Sequence, residues 1–378
     1  MKNVVIAGYK RSPFTFARKG ALVKVRPDEL AAQVVRGLVE ASGVNAEDLE
    51  DVIMGCAFPE GEQGFNVARI VSFLAKLPIH VAATTVNRFC GSSMQSVHMA
   101  AGAIQMGAGD VFMCAGIESM SRVPIGGFNP SPHPKLYAEY PQAYISMGDT
   151  AENLAKKYGI SRKEQEEMAV ESHRRAAEAQ AAGKFKDEIV PIHDGDKVID
   201  QDGCIRPGTN LEDLATLKPA FDAEGTVTAA TSSPLTDGAA AVLVCSEEYA
   251  DANGLDKIAR IRSIAVAGCA PEYMGIGPSP ASDKALKRAG ITLKDIDLIE
   301  LNEAFAAQSL AVIRESGFDY GITNIDGGAL ALGHPLGATG ARIVGKAATL
   351  LRREGKNLAL VTQCIGGGQG IATVLEAC

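Results

Sequence analysis

Short apolar runs alternate along the chain with longer segments of helical type. The apolar run Asn3–Gly8 is followed by a helical segment at residues 30–42, and Asp51–Cys56 is again a short apolar run. Apolar runs of about four to eight residues favour strands, and their alternation with helices is typical of α/β proteins. The pattern therefore predicts an α/β fold whose strands are largely parallel.

Part of this pattern occurs twice. Residues 41–53 contain Ala-Ser-Gly-Val followed by Asp-Leu and Val-Ile. Residues 288–299 contain Arg-Ala-Gly-Ile followed by Asp-Ile and Leu-Ile, with the same spacing from glycine to aspartate. At the same offset, the apolar run Val111–Cys114 falls on Leu358–Val361. Three elements in register indicate a duplicated α/β half.

The duplication predicts an N-terminal half at residues 1–250 and a C-terminal half at residues 251–378. Between about residues 118 and 235 the pattern is less regular and includes a proline-rich stretch, so we interpret this segment as a loop domain inserted in the first half. Within it, Ser161 and Glu164 predict the capping box of a charged helix. Inserted segments of this kind commonly form lids and binding loops.

Composition narrows the classes of function. A formal net charge of -8 gives no general attraction to nucleic acid or to anionic membranes, and no apolar run approaches the ~20 residues that span a bilayer. The opening residues Met1–Gly8 are typical of a strand rather than of a secretory leader, which indicates a cytoplasmic protein. The eight cysteines include no C-x-x-C pair, so neither a metal site nor a redox pair is predicted.

Cys90 is the first candidate for catalysis. An apolar strand is predicted to run into it, small residues follow, and a helix is predicted to continue through Met99 to Met106. A cysteine at a helix N-terminus faces free N–H groups and the positive end of the helix dipole, which lower thiol pKa values to roughly 3.5–7.5. The local sequence is equally consistent with a buried packing cysteine.

Two further segments combine a reactive side chain with glycines. His334 is followed by Pro335 and flanked by five glycines in residues 327–340, which predicts a tight loop before a helix from Ala341 onward. Cys364 ends a predicted strand and is followed by three glycines, a setting that offers both a thiol and backbone N–H donors. Both segments could also be structural turns.

Asn302 follows the predicted strand Leu298–Glu300 and precedes a helix. Asparagine at such a junction is usually the N-cap of the helix. It could also hold a water molecule or a substrate oxygen. The sequence carries no zinc-protease or serine-hydrolase motif, so those classes have little support.

Together these segments resemble the thiolase family. They read C-G-S at Cys90, N-E-A-F from Asn302, G-H-P from Gly333 and C-x-G from Cys364, in the family's order and across most of the chain. Each motif alone is weak, but the ordered set is specific. The form N-R-F-C-G-S-S-M-Q is most similar to the degradative 3-ketoacyl-CoA thiolases, which include a subunit of bacterial fatty-acid-oxidation complexes.

The resemblance implies a five-layer αβαβα fold made of two similar halves with an inserted loop domain. It implies thiolytic cleavage of 3-ketoacyl-CoA through an acyl-Cys90 intermediate, with His334 as base and Cys364 as acid and base. The backbone N–H groups of Cys90 and Gly366 would stabilise one negative oxygen. His334 and a water held by Asn302 would stabilise the other.

The resemblance also implies that coenzyme A is a substrate and that no cofactor is tightly bound. Arg206 would face the phosphate end of CoA, and Met147 would lie by the acyl pocket. The full set of expected CoA-binding residues is Met147, Arg206, Leu217, Phe221, Ala229, Ser233 and Phe305. The acetoacetyl-CoA branch of the family often has histidine where this chain has Ser146, which disfavours a strictly short-chain enzyme.

Other interpretations remain open at this stage. The chain could be an acetoacetyl-CoA thiolase that works in the condensing direction, or a non-catalytic acyl-CoA- or sterol-binding module. A β-ketoacyl synthase is less consistent with the motifs, because Cys364 stands where such enzymes have a second histidine. Family resemblance implies a homodimer or homotetramer and allows a hydratase/dehydrogenase partner subunit.

Overall fold

Residues 2–378, which the computed structural model describes, form strands and helices that follow the sequence pattern closely. In chain order, the strands are β1 Val4–Arg11, β2 Thr15–Phe16, β3 Asp51–Gly55, β4 Ala82–Val86, β5 Val111–Ser119, β6 Ile192–Asp194, β7 Lys197–Ile199, β8 Thr236–Ser246, β9 Ala259–Gly268, β10 Leu298–Leu301, β11 Leu358–Ile365 and β12 Gln369–Ala377. The α-helices are α1 Pro27–Ser42, α2 Val67–Leu74, α3 Ser92–Gln105, α4 Pro134–Glu139, α5 Met147–Tyr158, α6 Arg162–Ala181, α7 Leu211–Ala215, α8 Glu247–Ala252, α9 Pro278–Ala289, α10 Ala306–Ser316, α11 Ala329–Leu332 and α12 Leu336–Arg353.

Four strands of each half of the sheet follow the same order, and β4 is an additional strand at the edge of the first half. In the first half the order is β1-β8-β5-β3-β4, and in the second half it is β9-β12-β11-β10. The halves meet where β1 pairs with β9 through only two residue pairs. Gly43 and Gly290 occupy equivalent positions, since each ends a helix with φ 70° just before the strand that follows. The structure therefore contains the duplicated unit that the sequence pattern predicts.

The sheet is mixed, so the prediction of largely parallel strands is wrong. Only β3 with β4, β3 with β5 and β10 with β11 are parallel, whereas β8 and β12 run antiparallel to all of their main-sheet neighbours. In the second half, the connection between two consecutive strands explains why they are antiparallel. A short glycine turn at residues 366–368 connects β11 directly to β12, and a direct hairpin connection makes two strands antiparallel.

Side chains alternate between two layers on every central strand. In β5, Val111 and Met113 pack against α1 and α2, while Phe112 and Cys114 face α3. Helices α3 and α12 lie together between the two halves of the sheet, and α9 and α10 cover the outer face of the second half. This gives five layers, helix–sheet–helix–sheet–helix, which confirms the predicted architecture.

The segment between residues 118 and 235 is more regular than its sequence pattern indicates. It contains α4 to α7 and the small β6–β7 hairpin. The capping box of α6 is present, because the Ser161 side chain accepts from the Glu164 N–H and Glu164 accepts from the Ser161 N–H. Helices α5 and α6 pack on α10 of the second half, so this segment covers one end of the central layer.

No helix within residues 2–378 is both long enough and apolar enough to cross a membrane.

Candidate active site

Cys90 lies in a turn between a strand and a helix. Strand β4 ends at Val86, four residues earlier than the predicted strand, and residues 89–91 form a single 3₁₀ turn before α3 begins at Ser92. The side chain is buried, with 1% exposure. Burial raises the pKa of the Cys90 thiol to about 11, although the backbone N–H groups of Gly366 and of Cys90 itself oppose this shift.

The expectation that the helix N-terminus lowers the pKa of Cys90 is therefore wrong for the free protein. Removing water from around a thiolate costs more than the N–H groups of Gly366 and Cys90 return. Two N–H donors nevertheless converge on this sulfur, and such a pair can stabilise a negative oxygen formed on an attached acyl group.

His334 is held by three polar contacts. Its backbone N–H donates to Thr236 Oγ1 at 3.0 Å, its Nδ1 lies 2.6 Å from Thr339 Oγ1, and its Nε2 lies 3.3 Å from Asn302 Nδ2. The Thr339 hydroxyl already donates to the Pro335 carbonyl at 3.0 Å, so it accepts from His334 Nδ1–H. This fixes the tautomer in which Nε2 carries no proton, so that its lone pair accepts from the Asn302 amide.

The imidazole is neutral. Burial, with a smaller contribution from the Arg342 charge, lowers the pKa of His334 to about 3. A buried neutral imidazole whose Nε2 is unprotonated is able to accept a proton from a neighbouring thiol in place of the Asn302 hydrogen bond.

Helix α12 begins earlier than predicted, at Leu336 rather than near Ala341. Two of the glycines assigned to a tight loop, Gly337 and Gly340, therefore lie in the first turns of the helix. Because they have no side chain, they instead allow α12 to pack closely against its neighbours. A Cβ atom on Gly340 would lie 2.2 Å from the Met94 backbone nitrogen in α3. This close approach brings the N-termini of α3 and α12, and with them Cys90 and His334, to one place.

Asn302 is not the N-cap of the following helix. Phe305 occupies the N-cap position of α10, and Asn302 is instead fully buried with its Nδ2 on His334. Its Oδ1 accepts no hydrogen bond from any residue between 2 and 378. A buried amide oxygen of this kind is suited to a water molecule or a substrate group.

Cys364 is the second thiol of the site. It is fully buried near the end of β11 and packs with Met274 and Phe305. Burial raises the pKa of Cys364 well above its usual range, and the charge of a Cys90 thiolate would raise it further. The neighbouring Gln363 amide donates to the Cys90 carbonyl, which ties β11 to the Cys90 turn.

A cavity of about 60 Å³ joins Cys90 to His334, and Cys364 lies behind its wall, packed with the lining residues Met274 and Phe305. Cys90 and His334 lie on its wall together with three residues from the predicted CoA set, Met147, Ser233 and Phe305. A wider open groove of about 780 Å³ lies beside Phe185 and Pro207, but no thiol or imidazole is among the described residues that line it. The reactive groups therefore belong to the smaller cavity.

The other predicted CoA residues lie outside this cavity. The Phe221 ring packs edge-on against Phe305 at 5.9 Å and is 44% exposed, so it continues the apolar wall toward solvent. Leu217 and Ala229 are also exposed. The Arg206 side chain is exposed, with its guanidinium 5.0 Å from the Phe16 ring.

Glu118 is a site residue that sequence reasoning missed. Its buried carboxylate accepts from the Ala57 N–H at 2.8 Å, the Gly337 N–H at 2.9 Å and the Gln63 amide at 2.8 Å. Burial raises the pKa of this carboxyl, and these donors oppose the shift. The carboxylate thus joins the loop after β3 to the first turn of α12. The signal that the sequence offered for Glu118 is one acidic residue near the end of a strand that is otherwise mostly apolar.

Thr339 and two cavity-lining methionines, Met120 and Met274, were also missed. Nothing in the local sequence distinguishes them from ordinary core residues. As a whole, the cavity offers a buried thiol nucleophile, a neutral base and converging N–H donors, with a second thiol packed behind its wall. That combination is suited to covalent acyl transfer.

Comparison with known proteins gives the family. The sequence model described as "Thiolase, N-terminal domain" matches residues 4–248, and the one described as "Thiolase, C-terminal domain" matches residues 255–377. The chain belongs to the thiolase family. A 3-ketoacyl-CoA thiolase from Bacillus subtilis strain 168 is 48% identical to this thiolase-family chain over 391 residues, covering 100% of both proteins.

Two solved structures match this chain over its whole length. Human mitochondrial 3-ketoacyl-CoA thiolase in complex with CoA has a TM-score of 0.92 and 39% identity, covering 100% of this chain and 98% of that chain. The Bacillus anthracis acetyl-CoA acetyltransferase has a TM-score of 0.92 and 40% identity, covering 100% and 99%. This member of the thiolase family is an acyltransferase.

Proposed function

We propose that the chain cleaves 3-ketoacyl-CoA with CoA, giving acetyl-CoA and an acyl-CoA that is two carbons shorter. The observation that carries the proposal is that the buried Cys90 thiol and the neutral His334 imidazole line one cavity, with the second buried thiol, Cys364, near enough for a Cys90 thiolate to raise its pKa. The names of the similar proteins from Bacillus subtilis and human mitochondria support the same substrate class.

In the first half-reaction, His334 Nε2 takes the proton of the Cys90 thiol as sulfur attacks the 3-keto carbon. The N–H groups of Cys90 and Gly366 stabilise the oxygen that becomes negative. The bond between C2 and C3 then breaks, the carbonyl re-forms as a thioester on Cys90, and the electron pair leaves as the enolate of acetyl-CoA. Cys364 gives its proton to the enolate carbon, while protonated His334 and a water held by Asn302 Oδ1 would donate to the enolate oxygen.

In the second half-reaction, the Cys364 thiolate takes the proton from an incoming CoA thiol. The CoA sulfur attacks the acyl group on Cys90, and Cys90 leaves as a thiolate. His334 returns the proton to Cys90, so both thiols and the imidazole end in their starting states. CoA is a substrate in this scheme, and the chemistry uses no bound cofactor.

We place CoA along the wall that leads from the cavity to solvent. Ser233 and Phe305 line its inner end, and Phe221 extends it outward. Leu217 and Ala229 are exposed farther out, where the pantetheine and adenine would lie, and Arg206 would meet the phosphates. Met147 would contact the acyl group.

Synthesis of acetoacetyl-CoA by condensation is the second candidate, supported by the similarity to an acetyl-CoA acetyltransferase. Ser146, which stands where that branch often has histidine, is exposed and caps α5 through the Asp149 N–H at 3.2 Å. The absence of that histidine disfavours a strictly short-chain enzyme. Rates measured in both directions across short, medium and long acyl chains would decide between the two.

The experiment that tests the proposed function separates the two half-reactions. Cys90→Ala is expected to abolish both thiolysis and exchange of acyl groups between CoA molecules, because no acyl-enzyme forms. Cys364→Ala is expected to lower thiolysis by at least ~10²-fold, since the enolate leaves without a proton donor, while an acyl-Cys90 can still form. The measurements are thiolysis by absorbance and exchange of labelled CoA into acyl-CoA.

Cys245→Ala is the matched control, because Cys245 is a buried cysteine at the far end of β8 from Thr236. It should leave both reactions unchanged. Full thiolysis by Cys364→Ala would rule out its acid–base role. Tight acyl-CoA binding without turnover in the wild type would favour a binding module, and decarboxylation of a malonyl thioester would favour a synthase.

We also propose that the chain forms a homodimer through the edge strand β4. This strand pairs only with β3 among residues 2–378, and large apolar side chains are exposed beside it, including Phe65 at 94% and Ile79 at 75%. An open strand edge with apolar neighbours favours pairing with a second copy. Sedimentation at micromolar concentration should give twice the chain mass, and a monomer would contradict the proposal. A tetramer, a hydratase/dehydrogenase subunit and a cytoplasmic location stay predictions.

A further inference from the structure

The residue before the nucleophile has an unusual backbone conformation. Phe89 has φ 42°, in the left-handed region that residues with a large side chain rarely occupy. Non-glycine residues held in this region cluster at functional sites, and they persist only where surrounding contacts hold them there. The Phe89 conformation determines how the peptide between Phe89 and Cys90 is turned, and that peptide contains the Cys90 N–H.

Asn87 supplies the contact that holds this conformation most directly. Its side-chain Oδ1 accepts the Phe89 N–H at 2.9 Å, the two-residue hydrogen bond of an Asx turn. Its Nδ2 donates to the Ala57 carbonyl at 3.0 Å, in the loop that follows β3. Both ends of the amide are thus used, one on the turn and one on the adjacent loop.

Ser92 closes the turn from the other side. Its hydroxyl accepts the Arg88 N–H at 2.9 Å and donates to the Phe89 carbonyl at 2.6 Å. These bonds hold residues 88 and 89 against the start of α3. Within residues 2–378 the Phe89 N–H donates to Asn87, so Asn87 fixes the peptide before Phe89 while Ser92 holds the carbonyl after it, and φ of Phe89 is one of the two torsions between them.

We propose that Asn87 is a positioning residue for the acyl transfer described above. It keeps Phe89 in the left-handed region, so that the Cys90 N–H and thiol face the cavity opposite the Gly366 N–H. The proposal rests on the proposed function for its kinetic consequence, while its structural consequence is independent of the reaction.

A purely structural role would give a different result. Asn87 and Phe89 are both exposed, and the Phe89 ring contacts the Phe58 ring at 6.0 Å on the surface rather than in the core. The fold therefore depends little on either side chain. A loss of activity without a loss of stability would point to the geometry of the Cys90 turn.

The first test compares Asn87→Ala with Asn87→Asp. In Asn87→Ala, kcat is expected to fall about 10- to 100-fold, because a displacement of about 1 Å at a reacting group has that effect. The KM for each substrate should stay within about twofold, because Asn87 does not line the cavity. Asn87→Asp keeps an acceptor for the Phe89 N–H but loses the donor to the Ala57 carbonyl, so it should recover part of kcat.

Asn45→Ala is the matched control. The Asn45 side chain makes the same kind of turn, accepting the Glu47 N–H at 3.3 Å, at an exposed site that is not part of the catalytic cavity. It should leave kcat unchanged. Wild-type kcat in Asn87→Ala, or no recovery in Asn87→Asp, would overturn the proposal.

A second test removes the need for Asn87. Glycine occupies the left-handed region freely, so Asn87→Ala should cost much less kcat in a Phe89→Gly background than in the wild type. An equal fold loss in both backgrounds would overturn the proposal. This comparison also covers the case in which Asn87→Ala alone folds poorly.

A crystal structure of Asn87→Ala completes the test. Phe89 should move to negative φ and the Cys90 N–H should turn away from the cavity, whereas an unchanged turn would overturn the proposal. If the wild type failed to cleave 3-ketoacyl-CoA, the proposed function would be wrong, and this structure would still decide the role of Asn87.

Discussion

At the scale of single residues, Cys90 and His334 do not form an ion pair in the resting site. The pKa of Cys90 is raised to about 11 and that of His334 is lowered to about 3, both chiefly by burial, so thiol and imidazole are neutral together. The proton therefore moves as the bond from sulfur to carbon forms, when the negative charge passes to an oxygen beside two N–H donors. The site is organised for the charge of the intermediate rather than for a free thiolate.

Thr339 decides which nitrogen of His334 is the base. In Thr339→Val, the Nδ1–H loses its acceptor and the ring is no longer restricted to the tautomer with an unprotonated Nε2. We expect kcat to fall about 10- to 100-fold with little change in KM. Thr339→Ser restores the hydroxyl and should recover activity. Steady-state kinetics of the three proteins measure this, and wild-type kcat in Thr339→Val would contradict it.

At the scale of elements, the site depends on the crossing of α3 and α12. Cys90 immediately precedes one helix and His334 the other, and the helices approach closely where Gly340 meets the backbone of Met94. Glu118 adds a polar connection from β5 to the first turn of α12. The distance between nucleophile and base is thus set by helix packing rather than by a flexible loop.

Gly340→Ala should disturb this crossing. The new Cβ would lie 2.2 Å from a backbone nitrogen that cannot move independently of α3, so we expect a loss of about 1–3 kcal/mol in the free energy of unfolding, together with reduced kcat. Gly102→Ala is the control within α3, because no atom lies within 4 Å of its Cβ position. It should be neutral or stabilise by about 0.5–1 kcal/mol. Urea unfolding compares them, and equal effects would disprove the packing argument.

At the scale of the whole molecule, buried ion pairs join the two halves. Glu188 accepts from Arg11 of β1 at 2.8 Å and also faces Lys346 of α12 at 3.4 Å, while Lys346 lies 2.7 Å from Asp326. Such pairs add little net stability, because each charge loses its hydration. Removing one partner is costly, since it leaves a buried charge unpaired. The network therefore favours one relative arrangement of the halves.

Three buried histidines make stability depend on pH. The pKa values of His98 and His334 are lowered to about 3 and that of His173 to about 4, chiefly by burial. The unfolded chain binds protons on these rings near pH 6.5, whereas the folded chain does not. Stability present above pH 6.5 is therefore lost as the pH falls toward 4, by up to about 1.4 kcal/mol per pH unit for each ring.

His98→Gln isolates one of these contributions. Glutamine can keep a hydrogen bond to Thr373, which His98 contacts at 2.9 Å, but it does not titrate. The free energy of unfolding, measured with urea between pH 7.5 and 5, should fall less steeply for His98→Gln than for the wild type. The slopes are compared rather than the absolute values, and identical slopes would contradict the prediction.

Local sequence patterns were sufficient for several features. The capping box of α6, the glycine ends of α1 and α9 and the strand before Cys364 each depend on a few neighbouring residues, and the structure has all of them. The candidate side chains could also be named, because thiols and a histidine beside glycines are uncommon. The family resemblance then supplied their roles, and those roles await the experiments above.

The tertiary structure alone decided the rest. Thr339 and Glu118 act through partners that are distant or unremarkable in sequence. Asn302 does not cap a helix as expected but contacts His334. The pKa of Cys90 depends on burial by segments from both halves, which outweighs its helix terminus. The sequence determined which chemical groups were present and which local turns formed. Their protonation states and mutual geometry came from packing, because desolvation and hydrogen bonding depend on neighbours in space rather than neighbours in the chain.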